Sequence, residues 1–273
     1  MRQTVTPLLF ILFFIPDTHA QLFDSKVYNV NPYIDGAITV GAAATNYWGM
    51  VIVDRKPPLD SAEIASLDAN DINCFDRSAT RQDADYIYRA WKISNVGMRG
   101  SFLLPALLML DQDIRQDWAP LLLLFLQTEA VAGNLYSWGA AIHIDRIRPL
   151  VYHPDVVYED KTFIRNKNSF YSGHASTSAA ASFFVAKVYC DYHPELGNKK
   201  FIFYGLALIP PVFTGYYRYK GMKHFPTDIM TGVAVGAATG ILVPRLHKHR
   251  KNKNLTLVPV TGRYAGLAMS LTF

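Results

Sequence analysis

Three short stretches combine residue types that can handle an anion. They are Arg146-Ile147-Arg148-Pro149, Tyr171-Ser172-Gly173-His174, and Arg218 followed by His224 and Asp228. In the third, Pro226 suits the first turn of a helix, where its missing N–H does no harm. His224 and Asp228 are four apart, a spacing that places two side chains on one helix face. A carboxylate there can accept a hydrogen bond from one imidazole nitrogen, fixing the tautomer and aiming the other nitrogen's lone pair outward. A histidine held that way is a competent nucleophile or base. A purely structural His–Asp pair or a metal ligand satisfies the same spacing. In the second stretch, Ser172-Gly173-His174 precedes an Ala/Ser-rich run. The free N–H groups and dipole of a helix start bind anions. Gly173 lets backbone approach closely, Ser172 adds a hydroxyl donor, and His174 has a proton to give. A plain helix cap reads the same way. In the first stretch, the arginine forks match phosphate oxygens.

The elements around these stretches must bring them together. Gly232, Gly236 and Gly240 recur every four residues and leave one helix face bare. Ala175, Ser176, Ser178, Ala179 and Ala180 make the His174 helix slim. Small faces let backbones approach closely, so packing of these two helices can set His174 and His224 on opposite sides of one anion. Ordinary packing explains the same glycines, each at a cost of about 1 kcal/mol in a helix. The rest of the chain from Asp83 also reads as helical. Tyr88–Val96 leads through a break at Gly97 and Gly100 into Ser101–Leu110, and Asp111–Asp117 is a polar break. Trp118–Ile144, Gly173–Tyr189, Phe201–Tyr217 (with Pro210-Pro211 inside) and Thr227–Val243 follow. Residues 21–60 carry the breakers Asn31-Pro32, Asp35-Gly36 and Pro57-Pro58; a short acidic helix is expected near Asp60 or Ser61. Residues 255–273 alternate around a Gly-bearing turn, the pattern of a β-hairpin. The expected fold is an all-α helical bundle with a small C-terminal β-hairpin.

Composition narrows the setting. The chain has 273 residues, 50% apolar and 18% charged, which excludes intrinsic disorder. Two cysteines exclude a disulfide-dense scaffold and a four-cysteine zinc site. Export would allow Cys74 and Cys190 to pair, and two free thiols fit equally. The net charge of +5 equals the five cations Arg245, Lys248, Arg250, Lys251 and Lys253. Such a run is a solvated helix end or a patch for anionic headgroups; with no recognition motif beside it, nucleic acid is not an expected partner. Arg2, the apolar run Leu8–Ile15 and Thr18-His19-Ala20 form a signal-peptide pattern, with cleavage expected after Ala20. The chain is therefore read as exported to a periplasm or cell envelope. The mean hydropathy of +0.08 leaves membrane spanning open. The apolar segments are short or carry internal charges, which favours an exported, membrane-associated bundle over a multi-span protein. The basic segments Lys199-Lys200 and Arg245–Lys253 should fall at one end of that bundle, joined by Asp111–Asp117.

Taken in order, the three stretches resemble the type 2 phosphatidic acid phosphatase superfamily, which includes class A acid phosphatases and vanadium haloperoxidases. Its pattern is Lys, six residues, Arg-Pro; then Pro-Ser-Gly-His; then Ser-Arg, five residues, His, three residues, Asp. Arg148-Pro149, Ser172-Gly173-His174, and Arg218, His224 and Asp228 match at these spacings. Three positions depart: Ala141 stands for the lysine, Tyr171 for the proline and Tyr217 for the serine. The resemblance implies a phosphatase acting on a phosphomonoester or diphosphate, lipid phosphates included, without metal or other cofactor. It implies His224 as nucleophile, Asp228 stabilising its imidazole, and His174 as proton donor. Arg148, Arg218, Ser172 and Gly173 would hold the phosphate, with Arg146 supplying the charge missing at Ala141. Together with the patterns above, it divides the chain into a signal peptide (1–20), an N-terminal extension (21–83), the helical phosphatase core (84–250) and the hairpin (251–273). A non-catalytic envelope protein on the same fold, or a haloperoxidase with vanadate on His224, are the competing readings.

Overall fold

The computed structural model describes residue 23, residues 25–249, and the backbone of 255–260 and 266–271. Six helices make the bundle: α1 (Pro32–Val53), α2 (Ile87–Ser101), α3 (Trp118–Tyr136), α4 (Gly173–Tyr192), α5 (Ile209–Lys220) and α6 (Pro226–His247). Helix α4 occupies the middle and packs against α2, α3, α5 and α6. Its small residues make this possible: Ala175, Ala179, Ala180 and Ala181 are fully buried. Further along, Phe184 and Val188 join Leu121, Leu124 and Phe125 of α3 in the main apolar core.

The contact between α4 and α6 is backbone on backbone. A Cβ at Gly232 would stand 2.5 Å from the Ser172 carbonyl oxygen, and one at Gly240 2.5 Å from that of Ala180. At Gly236 it would overlap the Ser176 carbonyl. The four-residue glycine repeat thus serves close helix approach, and it fixes the starts of α4 and α6 side by side.

Helix α1 corrects the expectation of breakers through residues 21–60. Asn31-Pro32 is a helix start, since Asn31 Oδ1 accepts the N–H groups of Tyr33 and Ile34 at 3.0 and 3.1 Å, and Pro32 tolerates the first turn. Asp35 closes the cap by accepting the Asn31 N–H at 2.7 Å. Helix α1 packs along α3, where Asn134 Nδ2 donates to the Ala42 carbonyl at 2.6 Å and Trp138 Nε1 to that of Thr45 at 2.9 Å. The short acidic helix follows at Ser61–Ala65, capped by Asp60 and Glu63.

Other boundaries shift. No break occurs at Gly97 or Gly100, because α2 runs through both; a Cβ at Gly97 would come within 2.9 Å of Thr214 Oγ1 on α5. Helix α3 ends at Tyr136 and passes into a π turn, Ser137–Ala141. Pro210 and Pro211 open α5 instead of lying inside a longer helix, which is split after Leu206.

The two ends of the bundle differ. At one end, His193 Nε2 lies 2.9 Å from Asp111, Lys248 pairs with Asp191 at 2.6 Å, and Ser25 donates to Asp117 at 2.7 Å. Asp111–Asp117 therefore shares the end that carries Lys248, and the N-terminal segment is tied there too, with Asn29 N–H on the His247 carbonyl at 2.7 Å. The starts of α4 and α6 lie at the other end. Three segments are long and apolar enough to cross a membrane: α1, the stretch Ala84–Leu110 that contains α2, and α6, with mean hydropathy 1.2–1.5. Large apolar side chains such as Ile34, Val96, Leu107 and Leu242 point outward from them. The described residues thus contain more spanning-capable segments than the sequence reading favoured. Cys74 and Cys190 are both free. Leu255–Val260 pairs antiparallel with Gly266–Leu271, and the side chains of this ribbon lie outside the described residues, as does the expected signal peptide.

Candidate active site

His174 sits in the first turn of α4 and His224 just before the first turn of α6. The close α4–α6 packing directs both to one cavity of about 930 Å³, lined also by Gly173, Arg148, Arg165, Arg218 and Lys223. Arg148 comes from the turn after the π segment, where its N–H donates to the Asn166 carbonyl at 2.9 Å. Arg218 comes from the last turn of α5.

The His224 ring is almost wholly enclosed, at 1% exposure. Its Nδ1 lies 2.6 Å from the Ser169 carbonyl oxygen, which can only accept, so Nδ1 carries the proton. The Nε2 lone pair then faces Arg218 Nη2 at 3.3 Å. Asp228 does not make the direct bond expected of it. Its Oδ2 is 4.0 Å from Nδ1 and instead accepts the Ser169 hydroxyl at 2.6 Å and the Phe225 N–H at 2.9 Å. It acts one step back, holding the residue whose carbonyl sets the tautomer.

Two residues expected from sequence as phosphate ligands, Arg146 and Ser172, are not among the side chains that line the cavity. Arg146 is not in the cavity. It donates to Asp228 Oδ1, to Asp76 Oδ2 at 2.7 Å and to Thr227 Oγ1 at 2.9 Å, and it lies over the Phe225 ring at 4.3 Å. Two carboxylates with no exposed side-chain surface claim its charge first. Ser172 is fully buried, and its hydroxyl caps α4, accepting the Ala175 N–H at 3.4 Å. Gly173 does line the cavity beside Tyr136.

Arg148 and Arg218 are buried, at 8% and 3% exposure, and neither pairs with a carboxylate among the described residues. Nε of Arg148, and Nε and Nη1 of Arg218, have no hydrogen-bond partner among the described residues. Buried guanidinium N–H groups without acceptors are costly, so this corner is built for an anion. Burial, then the neighbouring Arg148, pushes the Arg218 guanidinium down to about 9. Burial first, then Arg218 and Arg148, holds both histidines well below the usual imidazole range, so both are neutral near pH 7. His174 Nε2 is 2.8 Å from Asn95 Oδ1; an amide oxygen can only accept, so that nitrogen is the donor. Arg165 is already neutralised by a two-point pair with Asp54 at 2.6 and 2.7 Å. The cavity lining also includes the apolar side chains of Met50 of α1, Ile87, Trp91 and Met98 of α2, and Phe163 and Ile164, with the carboxylates Asp54, Asp85, Asp155 and Asp160 among them. Among the described residues, no three His, Cys, Asp or Glu side chains converge as a metal-binding set.

Sequence reasoning missed Asn95, Arg165, Ser169 and Lys223. The Ser169 contact runs through a backbone carbonyl, which no residue type announces. Lys223 was signalled only by its place next to His224.

The PAP2 superfamily model matches residues 118–252, from α3 through the end of α6. A solved structure from Bacillus subtilis, described as the first transmembrane PAP2 type phosphatidylglycerolphosphate phosphatase, is similar at a TM-score of 0.43 and 19% identity. That match covers 75% of this chain and 94% of the other. No curated protein matches. The matched span contains the arginines, both histidines and Asp228 in the motif order, and this span of the chain belongs to the PAP2 superfamily.

Proposed function

We propose that the chain is a phosphatase that hydrolyses a lipid phosphate at a membrane, through a phosphohistidine and without a metal. The observation that carries this reading is the pair of buried guanidiniums, each with N–H donors left without an acceptor, beside two neutral histidines in one cavity. A phosphoryl group satisfies the free N–H donors of Arg148 and Arg218 and the N–H of Gly173 at the start of α4. Charge on the three equatorial oxygens is thereby stabilised, the main task in phosphoryl transfer. His224 Nε2 attacks phosphorus; the N–P bond forms as the P–O bond to the alcohol breaks. The bound dianion draws a proton onto His174, and His174 passes it to the departing alkoxide. His174 then takes a proton from water as the water oxygen attacks phosphorus, releasing phosphate and restoring His224. Asp228 and Ser169 hold the imidazole and offset its positive charge during the covalent stage. The apolar side chains that line the cavity from α1 and α2, two of the spanning-capable helices, support a substrate with an acyl or isoprenyl tail.

The test is phosphate release from dioleoyl phosphatidic acid in detergent micelles, with EDTA present and p-nitrophenyl phosphate as the small-ester comparison. Wild type turns over in EDTA and favours the lipid in kcat/KM. His224→Ala loses turnover by roughly 10⁴-fold or more with its helical circular dichroism unchanged. Retained activity in that variant overturns the phosphohistidine, and preference for the small ester overturns the lipid assignment.

A further inference from the structure

A cation outside the three motifs enters the same cavity. Lys223 follows the turn at Gly221-Met222, and its backbone N–H donates to the Arg218 carbonyl at 3.0 Å, so its Cα is held against the end of α5. His224, the next residue, is anchored by Ser169. The Lys223 side chain lines the cavity with Arg148, Arg218 and both histidines. Among the described residues its ammonium makes no hydrogen bond or ion pair. Position 141, where the resemblance places a lysine, is an alanine with no exposed surface, inside the π turn and away from the cavity lining. Among the described residues, Lys223 is the one lysine that lines the cavity.

We propose that Lys223 binds a non-bridging phosphate oxygen of the substrate and supplies the cation that Ala141 cannot. This rests on the phosphatase reading for its substrate, but the anion contact can be measured without turnover. The groups facing Lys223 set how it titrates. Burial comes first, then Arg148 and Arg218, all lowering its pKa, with Asp160 opposing; the ammonium is pushed down to about 7. Arg165 is occupied by Asp54, and the two histidines are neutral. An arriving dianion offsets the repulsion from the guanidiniums and restores the proton. Anion binding should therefore weaken as pH rises through 7, because above it a proton must be taken up from a scarcer supply.

Sulfate, a dianion throughout the range, is titrated calorimetrically into the full detergent-solubilised chain at pH 6 and pH 8. Wild type is expected to bind about tenfold more weakly at pH 8. Lys223→Arg keeps the affinity and loses the Lys223 share of that pH step, because guanidinium stays charged; what remains is the proton that the dianion draws onto His174. Lys223→Met binds about tenfold more weakly than wild type at pH 6, and with the lipid substrate its KM rises by a similar factor. Wild-type affinity in Lys223→Met, or a wild-type pH step in Lys223→Arg, overturns the proposal; if the Met variant does not fold, the Arg variant decides alone. Loss of sulfate binding in Lys223→Met together with full turnover in His224→Ala would sink the phosphohistidine and leave the lysine contact standing. The reverse pair of results would do the opposite.

Discussion

Arg218 is a charge that stability alone would not retain. It is buried beside Arg148, it has two donors without acceptors, and folding lowers its pKa from the ordinary guanidinium value to about 9. A base whose pKa falls on folding destabilises the native state throughout the range where it stays charged, here fully below pH 9 and progressively less above it. Arg218→Met should therefore raise the melting temperature at pH 7 while lowering kcat/KM by about 10²- to 10³-fold, the range for loss of a transition-state donor. Arg146 is the opposite kind of arginine. Its removal strands Asp76 and Asp228, neither with exposed side-chain surface, so Arg146→Met should cost about 3 kcal/mol in chemical denaturation. An Arg218 variant that melts lower, or an Arg146 variant that melts like wild type, would reverse these assignments. The contrast also marks what the sequence could tell. Motif spacing pointed to His174, His224 and Arg218, each at a helix end, and to Arg148 in the turn after the π segment, and all four line the cavity. It could not separate Arg146 from Arg148, because their difference lies in Asp76, seventy residues away in the chain, and in how α6 begins.

At the scale of elements, the site depends on how closely α4 and α6 approach. The glycine stripe on α6 meets carbonyl oxygens of α4, which are backbone atoms and cannot swing aside. Gly236→Ala should force the helices apart, costing about 1–3 kcal/mol of stability, and should lower kcat as the two histidines separate. Gly41→Ala on α1 is the control: nothing lies within 4 Å of its added carbon, so turnover should stay as in wild type and melting should rise slightly, by the better helix propensity of alanine. Equal effects of the two substitutions would show that the groove does not set the site. This groove was legible in the sequence because a four-residue repeat of small residues has few other uses in a helix. Helix α1 was not, because Asn-Pro and Asp-Gly pairs mark turns in most settings and only the full cap, with Asn31 and Asp35 both engaged, shows a helix start. Gly97 misled for a related reason: a glycine that admits a neighbouring helix looks the same in a string of letters as one that ends its own.

At the scale of the molecule, the bundle has a chemical end and a tethering end. Asp76 accepts the Thr227 N–H at 3.0 Å in the first turn of α6, so Cys74, two residues earlier and exposed, lies at the chemical end. Cys190 lies in the last turn of α4 beside Asp191, which holds Lys248, at the other. Helices α1 and α6 run between these ends, and so does the stretch Ala84–Leu110; their outward faces carry Ile34, Val96, Leu107 and Leu242, and Ala84–Leu110 also exposes Asp85, Arg89, Lys92 and Arg99. The apolar part of such a surface is stable in hydrocarbon and unfavourable in water. If these helices cross a bilayer, the two thiols must face opposite aqueous phases. In sealed vesicles, a membrane-impermeant maleimide should label only one of the single-cysteine variants Cys74→Ala and Cys190→Ala, and detergent should expose the other. Labelling of both before detergent would place the whole bundle in one aqueous phase, and its apolar flanks would then have to be covered by something other than lipid.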